Sequence, residues 1–357
     1  MIGERIKRAR SAAGLSLRDA AERAELSAMA ISKFERGEAT PSSQSLIRLS
    51  RAFGTPLEFF FRPDTVTLEK PKYRKRASLG KKQLVRIEAD ILDQVERFVE
   101  LLALFPNAPA VPFELPTGLP QSIVTMDDVE SVAMHVRNVW GLGRNEIFAV
   151  ADAFEERGIL VLTTEVEGES KFDGLATKVN GFPIVVVGEQ WPGDRQRFTL
   201  GHELGHLVLE GRLEDLSEKE QEKACNRFAG AFLVPRETVI AELGEHRSDI
   251  EPKELYQLKH KYGLSMGGWL YRALDVGVIS RATYEKLIRR FSANGWRKNE
   301  PGKSFPPEKP HFFERLIVHA LAEEMISMSK AAELMSIPLW QFREQLIIET
   351  PDASAYR

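Results

Sequence analysis

The stretch Arg195-Gln196-Arg197-Phe198-Thr199-Leu200-Gly201-His202-Glu203-Leu204-Gly205-His206 decides how this chain is read. Residues four apart lie one turn apart on the same face of a helix, so His202 and His206 can offer a nitrogen each to one metal ion. Glu203 stands beside the first of them, with a carboxylate able to take a proton from water. Leu200, Leu204, Leu207 and Val208 supply a core side for that helix. Gly201 and Gly205 are poor helix formers, and glycine there lets another backbone or a substrate come close. Asp194, after Gly193, is expected to cap a helix over 195–209.

A hydrolytic metal centre needs a third protein ligand and one open position. Ser217-x-x-Glu220 is a capping box, so a second helix starts there and ends before Pro235. Glu222, Asn226 and Ala229 share one of its faces, while Ala224, Phe228, Ala231 and Phe232 pack. Glu222 is the expected third ligand. Asn226 is expected to orient Glu222 or a substrate from behind. Two imidazoles and a carboxylate suit Zn2+, and manganese or iron would also fit them.

Working outward, the segment 158–188 reads as strands. Gly158–Thr163 is a buried-type strand, and Phe172–Val179 with Phe182–Val187 flanks the hairpin signal Asn180-Gly181. The hairpin could present an edge to an extended peptide. Upstream, Asp127 or Asp128 is expected to cap a helix running to Trp140, and a second helix runs to about Arg157. Five prolines between 106 and 120 predict an extended connector. Apolar residues at helical spacing from Leu84 to Phe105 predict an amphipathic helix of about six turns, packed on its own chain or paired with a second copy.

The first 61 residues punctuate differently. Ser16 is expected to cap one short helix and Ser27 a second, Ala28–Arg36, stopped by Gly37. Ile6, Ala9, Leu15, Ala20, Ile31, Leu46, Leu49 and Phe53 would fill a small core. Ala28, Met29, Ser32, Lys33 and Arg36 stay exposed on a helix whose width fits the major groove. Arg5, Arg8, Arg10, Arg18 and Arg36 are candidate phosphate contacts.

Charge agrees with this division. The chain has 357 residues, 43% hydrophobic and 28% charged, with a formal net charge of −3. Met1–Ile87 holds 19 Lys+Arg against 9 Asp+Glu, and the remainder holds 30 against 43. A basic head on an acidic body assigns an anionic polymer to the head alone. The single cysteine, Cys225, excludes a disulfide framework within the chain and a thiolate zinc cluster. No apolar run reaches the roughly 18 residues of a membrane span. No secretory signal opens the chain, and a cytoplasmic protein is expected.

Over about residues 3–61 the chain resembles the Xre/lambda-repressor-like helix-turn-helix family. The likeness rests on Ile6-x-x-Ala9-Arg10, Gly14-Leu15-Ser16, Ala21-Glu22, Leu26-Ser27, Ile31-Ser32-Lys33-Phe34-Glu35-Arg36-Gly37, Pro41 and Leu46-x-x-Leu49. It implies operator binding through Arg18, Ser27, Ala28, Met29, Ser32, Lys33 and Arg36. The family often has glutamine where Leu17 and Ala28 stand here, and glycine where Glu25 stands, so the operator sequence does not transfer.

Residues from about 127 to 290 resemble the ImmA/IrrE-type zinc metallopeptidase family. Asp173-Gly174-Leu175, the 195–206 run, Glu222-x-x-Cys225-Asn226-x-Phe228-Ala229 and Ala231-Phe232-Leu233-Val234-Pro235 carry this likeness, and more loosely Tyr262-Gly263-Leu264-Ser265. It implies zinc on His202, His206 and Glu222, with Glu203 as general base for peptide hydrolysis. Tyr262, Tyr271 and His260 are candidate donors to the oxyanion.

An α+β, mostly helical protein is therefore expected: a five-helix head over 1–61 and a basic linker, long helix and Pro-rich connector over 62–126. A zincin-like body with a small sheet would cover 127–300 and a helical extension 301–357. A faint second helix-turn-helix, or a plain helical cap, is expected near Ser329–Pro338. The function expected is a DNA-binding regulator, working as a homodimer, whose body cleaves a repressor or itself. The alternative is a repressor or antitoxin-like protein whose zinc domain senses metal, a peptide or a partner.

Overall fold

The computed structural model describes residues 2–62, 72–73, 80–107, 111–165, 172–179 and 181–347, with 72–73 and 81–82 described by their backbone alone. Most of the basic linker, Asn180 of the hairpin signal and the last ten residues lie outside this set.

The head is built from α1 (Ile2–Ala12), α2 (Leu17–Ala24), α3 (Ala28–Glu35) and α4 (Ser43–Phe53), closed by a 3-10 turn at Leu57–Phe61. That turn stands where a fifth helix was expected. Pro56 precedes it and Arg62 is extended at φ −63°, ψ 138°, as a residue before proline prefers. Ser16 and Asp19 form a reciprocal capping box, and the Ser27 hydroxyl accepts the Ala30 N–H. Glu25 takes the left-handed conformation between the two helices, at φ 50°. Ile6, Ala20, Ile31 and Leu49 are fully buried beneath them.

After β1 (Lys72–Tyr73), the long helix α5 (Lys81–Leu102) is the spine of the molecule. Its 22 residues make about six turns. Its apolar face packs on its own chain. Ile87, Ile91, Val95, Phe98 and Leu101 meet one face of a sheet on one side and the C-terminal helices on the other.

The body continues with α6 (Met126–Val139), α7 (Val150–Glu155), β2 (Leu160–Thr164), β3 (Gly174–Val179) and β4 (Phe182–Gly188). Thr125 caps α6 in a box with Asp128, in place of the expected aspartate cap. The sheet runs β1-β3-β4-β2, with β2 parallel to β4 and the other pairs antiparallel. Period-two alternation divides its side chains. Leu175, Ile184 and Val186 face α5, whereas Ala176, Val185 and Val187 join the larger core.

That core is completed by α8 (Gly193–Leu209), α9 (Glu218–Leu233), α10 (Arg236–Leu243), α11 (Pro252–Tyr262), α12 (Met266–Asp275) and α13 (Arg281–Ala293). Asp194 does not cap α8. Pro192 occupies the cap position, the Gly193 N–H donates to Phe305 O, and Asp194 pairs with Lys259 at 3.1 Å. A Cβ on Gly193 would fall 1.7 Å from Pro306 O, so only glycine allows the Pro-rich segment to cross there.

The tail is α14 (Phe312–Ala322), α15 (Met328–Met335) and α16 (Leu339–Gln345). Adding 311 to the head's numbers carries Ser16, Ala20, Glu25, Leu26 and Ile31 onto Ser327, Ala331, Ser336, Ile337 and Phe342. Ser327 is a side-chain N-cap like Ser16, and Ser336 is left-handed at φ 57° like Glu25. The Leu26 N–H donates to Ala21 O at 3.0 Å and the Ile337 N–H to Ala332 O at 3.1 Å. Ile31 and Phe342 are both buried, Met29 and Trp340 both exposed. The tail thus has helix-turn-helix geometry and is at the same time packed into the body.

The head is tied to the spine by ion pairs. Arg5 and Arg8 both donate to Glu96 of α5, and Arg62 donates to Asp93 and to Glu333 of α15. Arg10 pairs with Glu35 inside the head. Three of the five arginines expected at phosphates therefore hold the protein together: Arg5 is 1% exposed. Sequence separations of 91 and 88 residues hid the Arg5 and Arg8 partners.

Candidate metal centre

Two helices with small crossing residues build the centre. A Cβ on Gly201 would lie 3.2 Å from Ala229 Cα, and one on Gly205 3.2 Å from Cys225 Cα. Hydrogen at those positions lets α8 and α9 approach closely, which brings the histidines of one to the carboxylate of the other. Arg197, one turn earlier on α8, is buried and fixes the helix to its surroundings. It donates to Ile147 O, to Phe148 O at 3.2 Å and to Glu308 at 3.1 Å. Burial lowers its pKa, opposed by Glu308, whose own carboxyl burial raises and Arg197 lowers. Gly263, left-handed at φ 67°, leaves room for this guanidinium, since a Cβ there would sit 2.4 Å from Arg197 Nε.

His202 Nε2 and His206 Nε2 are 3.0 Å apart. Glu222 oxygens lie 3.6 Å from the first and 3.3 Å from the second. One donor atom from each of the three residues falls within 4.8 Å of the others. The edges of a tetrahedron with ligand bonds near 2.1 Å are about 3.4 Å, so the spacing and the N,N,O donor set both fit a zinc-sized ion. His202 is fully buried; the His206 and Glu222 side chains are 33% and 45% exposed, so the group opens to solvent on one side.

Behind the donors, His202 Nδ1 and Asn226 Oδ1 are 3.0 Å apart. The amide oxygen accepts only, so Nδ1 carries the proton and the Nε2 lone pair faces the other ligands. Asn226 is thus placed to orient His202 from behind. Cys225 Sγ lies 3.4 Å from His206 Nδ1, a contact that sequence reasoning missed. Its position three residues after Glu222 was the available signal. Glu203 is buried on α8 beside His202.

The candidate oxyanion donors are held by other partners. The Tyr262 hydroxyl donates to Glu242 at 2.7 Å, His260 Nε2 lies 3.1 Å from Lys303 O, and Tyr271 packs edge-on against Tyr284. Asp173 and Arg195, two other residues of the sequence pattern, pair at 2.6 Å, with the guanidinium 3.5 Å above the Trp191 ring.

In the head, Arg18, Ser27, Ala28, Met29, Lys33 and Arg36 are exposed and Ser32 is half-buried. Arg36 shares its charge with Glu38 at 2.8 Å, both side chains more than half exposed. Among the described residues no helix is long and apolar enough to cross a membrane.

Comparison with known proteins agrees with both regions. Residues 6–60 match the helix-turn-helix family model, and residues 154–274 match the model for the IrrE N-terminal-like domain. The radiation response metalloprotease IrrE of Deinococcus radiodurans is 34% identical over 99 residues, which cover 25% of this chain and 30% of that protein. The chain thus spans under a third of that relative's length. ComR from Streptococcus suis aligns over 96% of this chain and 93% of its own at 14% identity, with a TM-score of 0.16, too low for a shared fold to follow. The chain thus joins a helix-turn-helix region to a region similar to the IrrE-type metallopeptidase domain.

Proposed function

We propose that this chain is a DNA-binding regulator whose body is a zinc-dependent endopeptidase acting on a repressor or on the chain itself. The observation that carries the proposal is the convergence of His202, His206 and Glu222. These three would hold the ion. When bound, zinc supplies a Lewis acid for the scissile carbonyl and acidifies water.

The protein's own groups do the rest. Asn226 holds the His202 tautomer whose Nε2 lone pair faces the other two ligands. Glu203 takes a proton from the attacking water and returns it to the leaving amine. Its burial keeps competing solvent from that carboxylate. The exposed side of His206 and Glu222 admits substrate. In the head, Arg18, Ser27, Ala28, Met29, Ser32, Lys33 and Arg36 form the face toward an operator, and a homodimer would match paired half-sites.

The test pairs wild type with Glu203→Gln, which removes the base and keeps every ligand. Bound metal is counted, and intact mass is followed with zinc, with and without an operator-bound repressor. Metal in both proteins and cleavage in wild type alone is the expected result. Metal in both with no cleavage in any mixture favours the sensor reading. No metal in either overturns the zinc centre.

A further inference from the structure

We propose that Lys72–Tyr73 occupies, in cis, the strand edge on which an extended basic peptide adds as substrate, so that the chain's own segment and the substrate exclude one another. The inference rests on the peptidase reading above and names its substrate class. β3 has two edges. One is filled along its whole length, Gly174–Val179, by β4. On the other, Tyr73 pairs with Leu175 and Lys72 with Ala176, antiparallel. Each backbone group in a ladder serves one neighbour, so a peptide cannot pair with Leu175 and Ala176 while β1 is there.

The occupied stretch lies next to a residue that touches the helix carrying the metal-centre histidines. A Cβ on Gly174 would lie 2.6 Å from Thr199 Cγ2, and Thr199 precedes His202 by three residues on α8. Leu175 is the next residue of β3. A peptide adding to this edge therefore runs past the helix that carries both histidines. Edge addition is a general mode of holding an extended peptide by its backbone.

Charge selects the peptide. Residues 70–76 read Lys-Pro-Lys-Tyr-Arg-Lys-Arg, whereas everything after Ile87 carries 30 basic against 43 acidic residues. An acidic body favours a basic strand on its edge. Among the described residues β1 pairs through two positions alone, so it competes for the edge without plugging it. Its tether keeps its effective concentration high.

The experiment uses the full chain carrying Glu203→Gln and loaded with zinc, so that binding is read without turnover. The probe is a fluorescent peptide with the sequence of residues 68–78, followed by anisotropy. In the K72P/Y73P variant, which lacks both strand N–H donors, its affinity should rise about tenfold over the parent, since proline removes ladder donors. In K72C/A176C, built on a register pair, oxidation should abolish binding and reduction restore it. A peptide with its Lys and Arg changed to Glu should bind at least tenfold more weakly. Equal binding, or none, across parent, double-proline and oxidised proteins overturns the proposal. The predicted binding pattern without hydrolysis by the wild-type protein would instead sink the peptidase reading and leave β1 and a basic peptide as rivals for the edge of a non-hydrolytic site.

Discussion

Ser16–Arg36 in the head and Ser327–Ile347 in the tail follow the same order of serine cap, short helix, left-handed turn and second helix. They differ in what surrounds them. The head keeps its own core, and its second helix exposes Lys33 and Arg36. In the tail, Ala331, Ala332, Leu334 and Phe342 belong to a core shared with α5 and the sheet. Its second helix exposes Trp340, Arg343 and Glu344, so its charges cancel. The same local pattern thus leaves a basic helix face exposed when its core is private and makes a structural buttress when its core is shared. The turn motif specifies the helix-turn-helix geometry; charge and burial decide its use.

Core truncation should separate the two units most strongly. Phe342→Ala is expected to cost about 3–5 kcal/mol and Ile31→Ala about 2–5 kcal/mol. Thermal unfolding should show the first lowering the transition of the body, and the second lowering only the transition of the head. Equal effects of both on the body would break the distinction.

Docking of the tail also carries a proton. Glu155, at the end of α7, accepts the Phe312 N–H that opens α14. Burial raises its pKa to about 8 from 4.5, against the opposing hydrogen bonds from Phe312 and His311. Below pH 4.5 both folded and unfolded chains hold this proton. Between 4.5 and 8 only the folded chain does, so its contribution to stability falls as pH rises, and levels off above 8. Glu155→Gln should remove that slope from denaturant midpoints measured across pH 4–9. A slope unchanged in the variant would refute the assignment.

On DNA, Lys33→Ala and Arg36→Ala should each lower the salt slope of operator binding by about 1, while Arg343→Ala leaves it unchanged. A matched loss from Arg343→Ala would make the tail a second DNA reader. The smallest effect is expected at the turns. Glu25→Gly and Ser336→Gly should each stabilise by roughly 0.5–1 kcal/mol, because glycine takes the left-handed conformation without a Cβ penalty. Calorimetry of the two variants would show whether the turns are equally strained.

What the sequence determined by itself was local in origin. The spacing of His202 and His206, the Ser217–Glu220 box that phases Glu222 and Asn226, and the serine caps of the head are all read within one or two turns of chain. Tertiary structure alone decided the rest, because the partners are far apart in sequence. Arg5 and Arg8 look like phosphate ligands until Glu96, about ninety residues on, takes them. Asp194 looks like a cap until Pro192 and the Phe305 carbonyl define the start of α8 and Lys259 claims the carboxylate. Likewise the edge of β3 looks open until Lys72–Tyr73 returns to it. Buried charges and strand edges must find a partner somewhere, and their residue types do not say where.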